Sequence, residues 1–203
     1  MNRALLFPTA TVTHLEAVVR SAEVADLLAL EGAGMNLGLV ALPPAVEDSL
    51  YRFNNLPGRL AALYGGIDPV DPDEDLLEEA EERAVRLIDQ AHNLDEVIDA
   101  VYEALEGMPT RLMVRRPGEA EGLVVTGRRG ALLALKALAR TDWSVPNVMA
   151  RLTETASVAV DARAVFVHAA VAAPDPRLSA RASQVLGRDV EAFGWEGSVT
   201  GVR

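Results

Sequence analysis

Residues 111–140 read RLMVRRPGEAEGLVVTGRRGALLALKALAR, and their reading decides the fold class. Arg111 to Arg116 and Gly122 to Thr126 are short apolar runs on either side of Pro117-Gly118-Glu119-Ala120-Glu121, a pattern that predicts a β-hairpin. The second strand leads through Gly127-Arg128-Arg129-Gly130 into a helix over Arg129 to Arg140. That helix is apolar nearly all round, so it belongs in a core. Strands and helices that are grouped in this way, and not strictly alternated, indicate an α+β fold.

Upstream, residues 44–107 form a helical excursion. One segment covers Ala45 to Tyr64 with a break at Pro57-Gly58. The run Asp68-Pro69-Val70-Asp71-Pro72-Asp73 is a loop, and an acidic helix follows over Asp73 to Ala91. Asn93 is the expected N-cap of one more helix reaching Glu106. The chain opens as a strand (Arg3 to Thr9), a helix begun by the capping-box pattern Thr13-x-x-Glu16 and stopped at Gly32, and a strand over Leu37 to Leu42. Downstream we expect a short helix at Val145 to Leu152, strands at Ala156 to Val160 and Ala164 to Val171, and a last helix begun by Asp175-Pro176. The expectation is a single α+β domain over residues 1–203, with a mainly antiparallel sheet and flanking helices.

Composition narrows the function classes. The chain has no cysteine, which excludes disulfides and thiolate metal sites. No apolar run is long enough for a membrane span, and the apolar run at the N-terminus is too short for a secretory signal, so a cytoplasmic location is expected. Aromatic residues make up 4%, too few for extended base-stacking platforms. The net charge of −11 disfavours non-specific nucleic-acid binding by the surface as a whole. Charge is unevenly spread. Residues 71–107 hold fourteen acids against two arginines, and residues 108–151 hold eight bases against three acids.

Within the acidic stretch, Glu78-Glu79-Ala80-Glu81-Glu82 followed by Glu96-Val97-Ile98-Asp99 resembles the EExxE…ExxD pattern of the all-α nucleoside-triphosphate pyrophosphohydrolases. The resemblance covers about 22 residues and implies Mg²⁺ held by Glu79, Glu82, Glu96 and Asp99, clamping a triphosphate. A helical wheel opposes it. The apolar stripes Leu77, Ala80, Ala84, Leu87, Ile88 and Leu94, Val97, Val101, Leu105 point away from both acid pairs, by roughly 130–170° for Glu79 and Glu82. Helices packed by those stripes send the acids into solvent. A solvated acidic face is the expectation, with no metal site.

Two glycine-bearing segments invite an anion-binding reading. Gly32-Ala33-Gly34-Met35-Asn36-Leu37-Gly38 runs from helix to strand, the reverse of a dinucleotide loop, and reads as a helix terminus and turn. Gly127-Arg128-Arg129-Gly130 has the right order, from strand into helix. On that helix Arg129, Lys136 and Arg140 fall within about 40° of one another. The stripe pairs with the protein's own acidic helices or those of a second subunit, or else it binds phosphate or DNA together with Arg115, Arg116 and Arg128. The three histidines, His14, His92 and His168, show no ligand spacing, and no nucleophile-elbow pattern supports a hydrolytic triad.

The leading expectation is a non-enzymatic protein-binding or assembly module that self-associates, without a cofactor. Anion or nucleic-acid binding by Arg115, Arg116, Arg128, Arg129, Lys136 and Arg140 comes second, and a Mg²⁺-dependent pyrophosphohydrolase third.

Overall fold

The structure is a computed structural model that describes residues 21–68 and 70–203. The expected strand Arg3 to Thr9, the capping box at Thr13 and His14 lie outside the described residues. The described chain is α+β. It holds a four-stranded antiparallel sheet ordered β1-β4-β2-β3, formed by β1 (Leu39–Leu42), β4 (Val165–Ala169), β2 (Arg111–Arg115) and β3 (Leu123–Thr126). A second sheet is ordered β5-β6-β7, from β5 (Ala173–Pro174), β6 (Ala192–Trp195) and β7 (Ser198–Val202).

Period-two alternation explains how the large sheet serves two cores. Val40, Leu42, Leu112, Val114, Val165 and Val167 face one way, onto α5 (Asp95–Ala104) and α6 (Gly127–Asp142). Leu39, Ala41 and Phe166 face the other way, onto α1 (Ala22–Gly32), α8 (Pro176–Leu186) and the small sheet. β1 and β4 are therefore buried along their whole lengths.

A third cluster joins α2 (Pro44–Phe53), α3 (Leu56–Tyr64), α4 (Glu74–Gln90) and α7 (Val145–Thr155). In α4 the buried residues Leu77, Ala80, Ala84 and Ile88 recur every three or four positions, and Asp73 caps the helix by accepting from the Leu76 amide at 3.2 Å. The helical excursion between β1 and β2 is thus present as read from the sequence.

Several boundaries differ from expectation for identifiable reasons. The α2–α3 break falls at Asn54–Asn55, because Asn55 takes a left-handed φ of 50° and Pro57 sits in the first turn of α3. Leu94, not Asn93, is the residue that precedes α5. Residues 156–160 form no strand. Both edges of β4 are already taken, by β1 and β2, so Val158 and Val160 instead cover the third cluster from a loop. The hairpin β6–β7 was not anticipated.

The β2–β3 hairpin is tight where it opens. A Cβ on Gly122 would lie 2.6 Å from the Val114 carbonyl oxygen and 2.7 Å from the Arg115 Cβ, both fixed in the centre of the sheet. Gly122→Ala is expected to cost about 1–3 kcal/mol, read as a lower urea midpoint. An unchanged midpoint would mean that β3 can shift without loss.

Candidate functional site

β2 ends at Arg115, Arg116 follows directly, and the two side chains go to opposite faces of the sheet, as alternation requires. Each is buried and each is gripped by a carboxylate from a covering helix. Arg116 is only 1% exposed. Its Nη2 donates to Glu47 of α2 at 2.6 Å and to Asp142 at the end of α6 at 2.5 Å. Glu47 also accepts from the Arg163 amide at 2.6 Å, and the Arg163 guanidinium reaches Asp142 at 3.0 Å and Glu119 at 3.1 Å. Burial pushes the Glu47 carboxyl above its usual range, and Arg116 pulls against that shift.

Arg115 lies on the other face. Its Nη1 and Nη2 donate to the two oxygens of Glu23 in α1 at 2.8 and 2.5 Å, a bidentate pair, and its Nε donates to His168 Nε2 at 3.2 Å. The guanidinium also stands 5.2 Å from the Phe166 ring centroid. Glu23 takes a further bond from the Gly118 amide at 2.7 Å. With Nε2 accepting from Arg115, the His168 Nδ1 carries the proton and donates to the Ala169 carbonyl at 3.0 Å. Burial, with the adjacent Arg115 charge, holds His168 below the usual imidazole range, so it is neutral at pH 7.

Above this cluster lies a cavity of about 420 Å³. Arg115, His168 and Met113 line it from the large sheet, Ala22, Glu23 and Asp26 from α1, and Phe193 and Thr200 to Arg203 from the small sheet. Arg188 enters from beyond α8 and is paired with Asp26. Arg203 stacks on Phe193 at 4.5 Å and donates to the Ala120 carbonyl at 3.0 Å. It has no carboxylate partner among the described residues.

The six arginines and lysines singled out from the sequence do not form one surface. Arg115 and Arg116 are core ion pairs. Lys136 Nζ donates to the carbonyls of Asp89 and Ala91, and Arg140 pairs with Asp89 at 2.8 Å, so both hold the C-terminal end of α4, where cations suit the helix dipole. Arg128 donates to the Tyr102 carbonyl at 3.1 Å and lies 5.4 Å from its ring centroid, while Arg129 is exposed.

Glu79, Glu82, Glu96 and Asp99 are all exposed, with Glu79 on Arg83 and Glu82 on Arg86. Among the described residues no group of three or more His, Asp or Glu is placed to hold a metal ion. Nor is any helix among them long and apolar enough to cross a membrane.

Sequence reasoning missed Glu23, Glu47 and Asp142. The available signal was their position on apolar stripes: Glu47 beside Val46 and Leu50, Asp142 after Leu135, Leu138 and Ala139, and Glu23 before Leu27 and Leu30. A carboxylate on a buried stripe needs a partner. No protein-family model matches the chain, and a search of curated proteins finds no match to it.

Proposed function

We propose that the chain is a non-catalytic binding protein that holds a small organic anion in the cavity above Arg115 and His168. The observation that carries this reading is the 420 Å³ cavity with Arg203 at its mouth, unpaired by any carboxylate of the described residues. The volume is in the range of small-molecule sites, and the lining combines apolar surface with a few fixed polar groups. Met113, Ala170, Ala172 and Phe193 offer the apolar wall, and Arg203 offers the charge.

Holding fits the chemistry better than transforming. His168 has both ring nitrogens engaged, Arg115 is saturated, and the Thr200 hydroxyl donates to the Phe193 carbonyl at 3.2 Å, so none is poised as a base or nucleophile. A DNA-binding reading would rest on Arg128 and Arg129, because Lys136 and Arg140 already serve α4. Self-association is favoured by a separate feature, the edge of β3 that no described strand covers.

The test is methyl NMR of Met113 titrated with benzoate, succinate and, as a control, inorganic phosphate. A saturable shift with benzoate or succinate is expected, at a dissociation constant of about 1 mM or tighter, and weakened in Arg203→Met. No shift of Met113 with any of the three would end this reading.

A further inference from the structure

The exposed side of β3 has the character of an unfinished sheet. Among the described residues β3 is an end strand, in the order β1-β4-β2-β3, and its sequence Leu-Val-Val-Thr contains no charge and no proline. Natural edges usually carry one or the other to prevent pairing. Leu123 is 37% exposed and Val124 50%.

The hydrogen-bond pattern fixes which backbone groups are open. The Gly127 amide donates to the Thr110 carbonyl, which makes Arg111 and Thr126 a non-hydrogen-bonded pair of the β2–β3 ladder. By alternation, Leu123 and Val125 turn their amides and carbonyls toward β2. Val124 turns both of its groups outward, and so do Thr126 its amide and Gly122 its carbonyl.

Side chains tell the same story. Val125 lies against Gly130 of α6. Leu133, about 60° round the helix from Gly130, is 58% exposed.

Charge selects the occupant. Glu121 precedes the strand and Arg128 and Arg129 follow it, all exposed, and none of the three has an ion-pair partner among the described residues. An antiparallel copy of the same strand brings the acidic start of one against the basic end of the other, on both sides of a two-fold axis. A parallel copy would set like charges together.

We propose that two copies of the chain pair antiparallel along β3, with Val124 of one opposite Val124 of the other, to form one continuous eight-stranded sheet. The two Val124 residues exchange amide-to-carbonyl bonds, and each Thr126 amide donates to the Gly122 carbonyl of the other copy. Leu123 then lies against the second copy's Val125. Such an isologous interface closes at two subunits and leaves no free β3 edge.

Sedimentation equilibrium of the full chain tests this, at concentrations from about 1 to 100 μM. The expected species is a dimer. Val124→Pro removes an outward amide that the β2–β3 ladder does not use, and is expected to raise the dissociation constant by tenfold or more. Glu121→Arg, which sets like charges against Arg128 and Arg129 of the second copy, is expected to weaken the dimer. Adding Arg129→Glu to it is expected to restore pairing. If Val124→Pro perturbs the fold by circular dichroism, the charge-swap pair decides. A monomer at the highest concentration overturns the proposal. So does a dimer indifferent to Val124→Pro in a folded variant, or to Glu121→Arg.

Discussion

Arg116→Met is expected to lower stability by about 3–5 kcal/mol, one of the two largest losses among the substitutions considered. The side chain is almost wholly enclosed, and its removal strands two carboxylates, Glu47 and Asp142, in a region from which water is excluded. Arg163 remains on Asp142, but it is half exposed and approaches from the rim. The loss comes from leaving charge unpaired, not from the net worth of the original pair.

Two consequences separate these causes. Arg116→Met combined with Glu47→Met and Asp142→Leu replaces the network by apolar groups, and is expected to recover most of the loss. The deficit of Arg116→Met alone is expected to depend on pH. Glu47 already sits above the usual carboxyl range through burial, and loss of Arg116 pushes it further. A carboxyl raised in the folded state binds more protons folded than unfolded, so its contribution to stability falls as pH rises through that interval. Urea denaturation should therefore show a larger deficit at pH 7 than at pH 5. A deficit independent of pH would mean that lost packing, not stranded charge, is responsible.

The same network shows how far the sequence could be read. The hairpin of residues 111–126, the buried helix after it and the helical excursion were legible because hydrophobic period and turn residues are local properties. The destination of Arg115 and Arg116 was not. An arginine pair after a strand looks the same on a surface and in a core, and only the positions of Glu23 and Glu47, 92 and 69 residues away in sequence, decide it. The cationic stripe on α6 was visible, yet its partners are largely backbone carbonyls at the end of α4, which no composition reveals.

The hairpin β6–β7 escaped for a different reason. Ala192-Phe-Gly-Trp195 contains a glycine at a register irregularity, so its alternation is broken. Its turn, Glu196-Gly197, takes positive φ at both positions, a geometry that Asn-Gly would have signalled and Glu-Gly does not. The cavity depends on that hairpin for one wall, so it was not visible until the strands were.

Arg115→Met is expected to cost a comparable amount, about 3–5 kcal/mol, and it carries a spectroscopic signature that Arg116→Met lacks. Arg115 contributes to keeping His168 neutral, since its charge and its Nε–H both oppose a proton on Nε2. Burial opposes it too and is the larger influence, while the Ala169 carbonyl bond and, less strongly, Glu23 favour it. With Arg115 removed and Glu23 left in place, two influences change in the same direction. The His168 midpoint, followed by ring-carbon NMR, is expected to rise from below the usual value of about 6.5 toward it or beyond. Arg115→Met with Glu23→Met is expected to regain most of the stability and to return the midpoint to lower pH, because burial then opposes the proton with only the Ala169 carbonyl bond favouring it. A midpoint that stays fixed across all three proteins would mean that burial alone keeps His168 neutral and that Arg115 serves only to clamp α1 to the sheet. A rise in the single variant and a fall in the double would make the Glu23–Arg115–His168 contacts one electrostatic unit. In that unit, the charge of the cavity floor is set by groups already satisfied within the protein, and Arg203 is the lining cation without a carboxylate partner among the described residues.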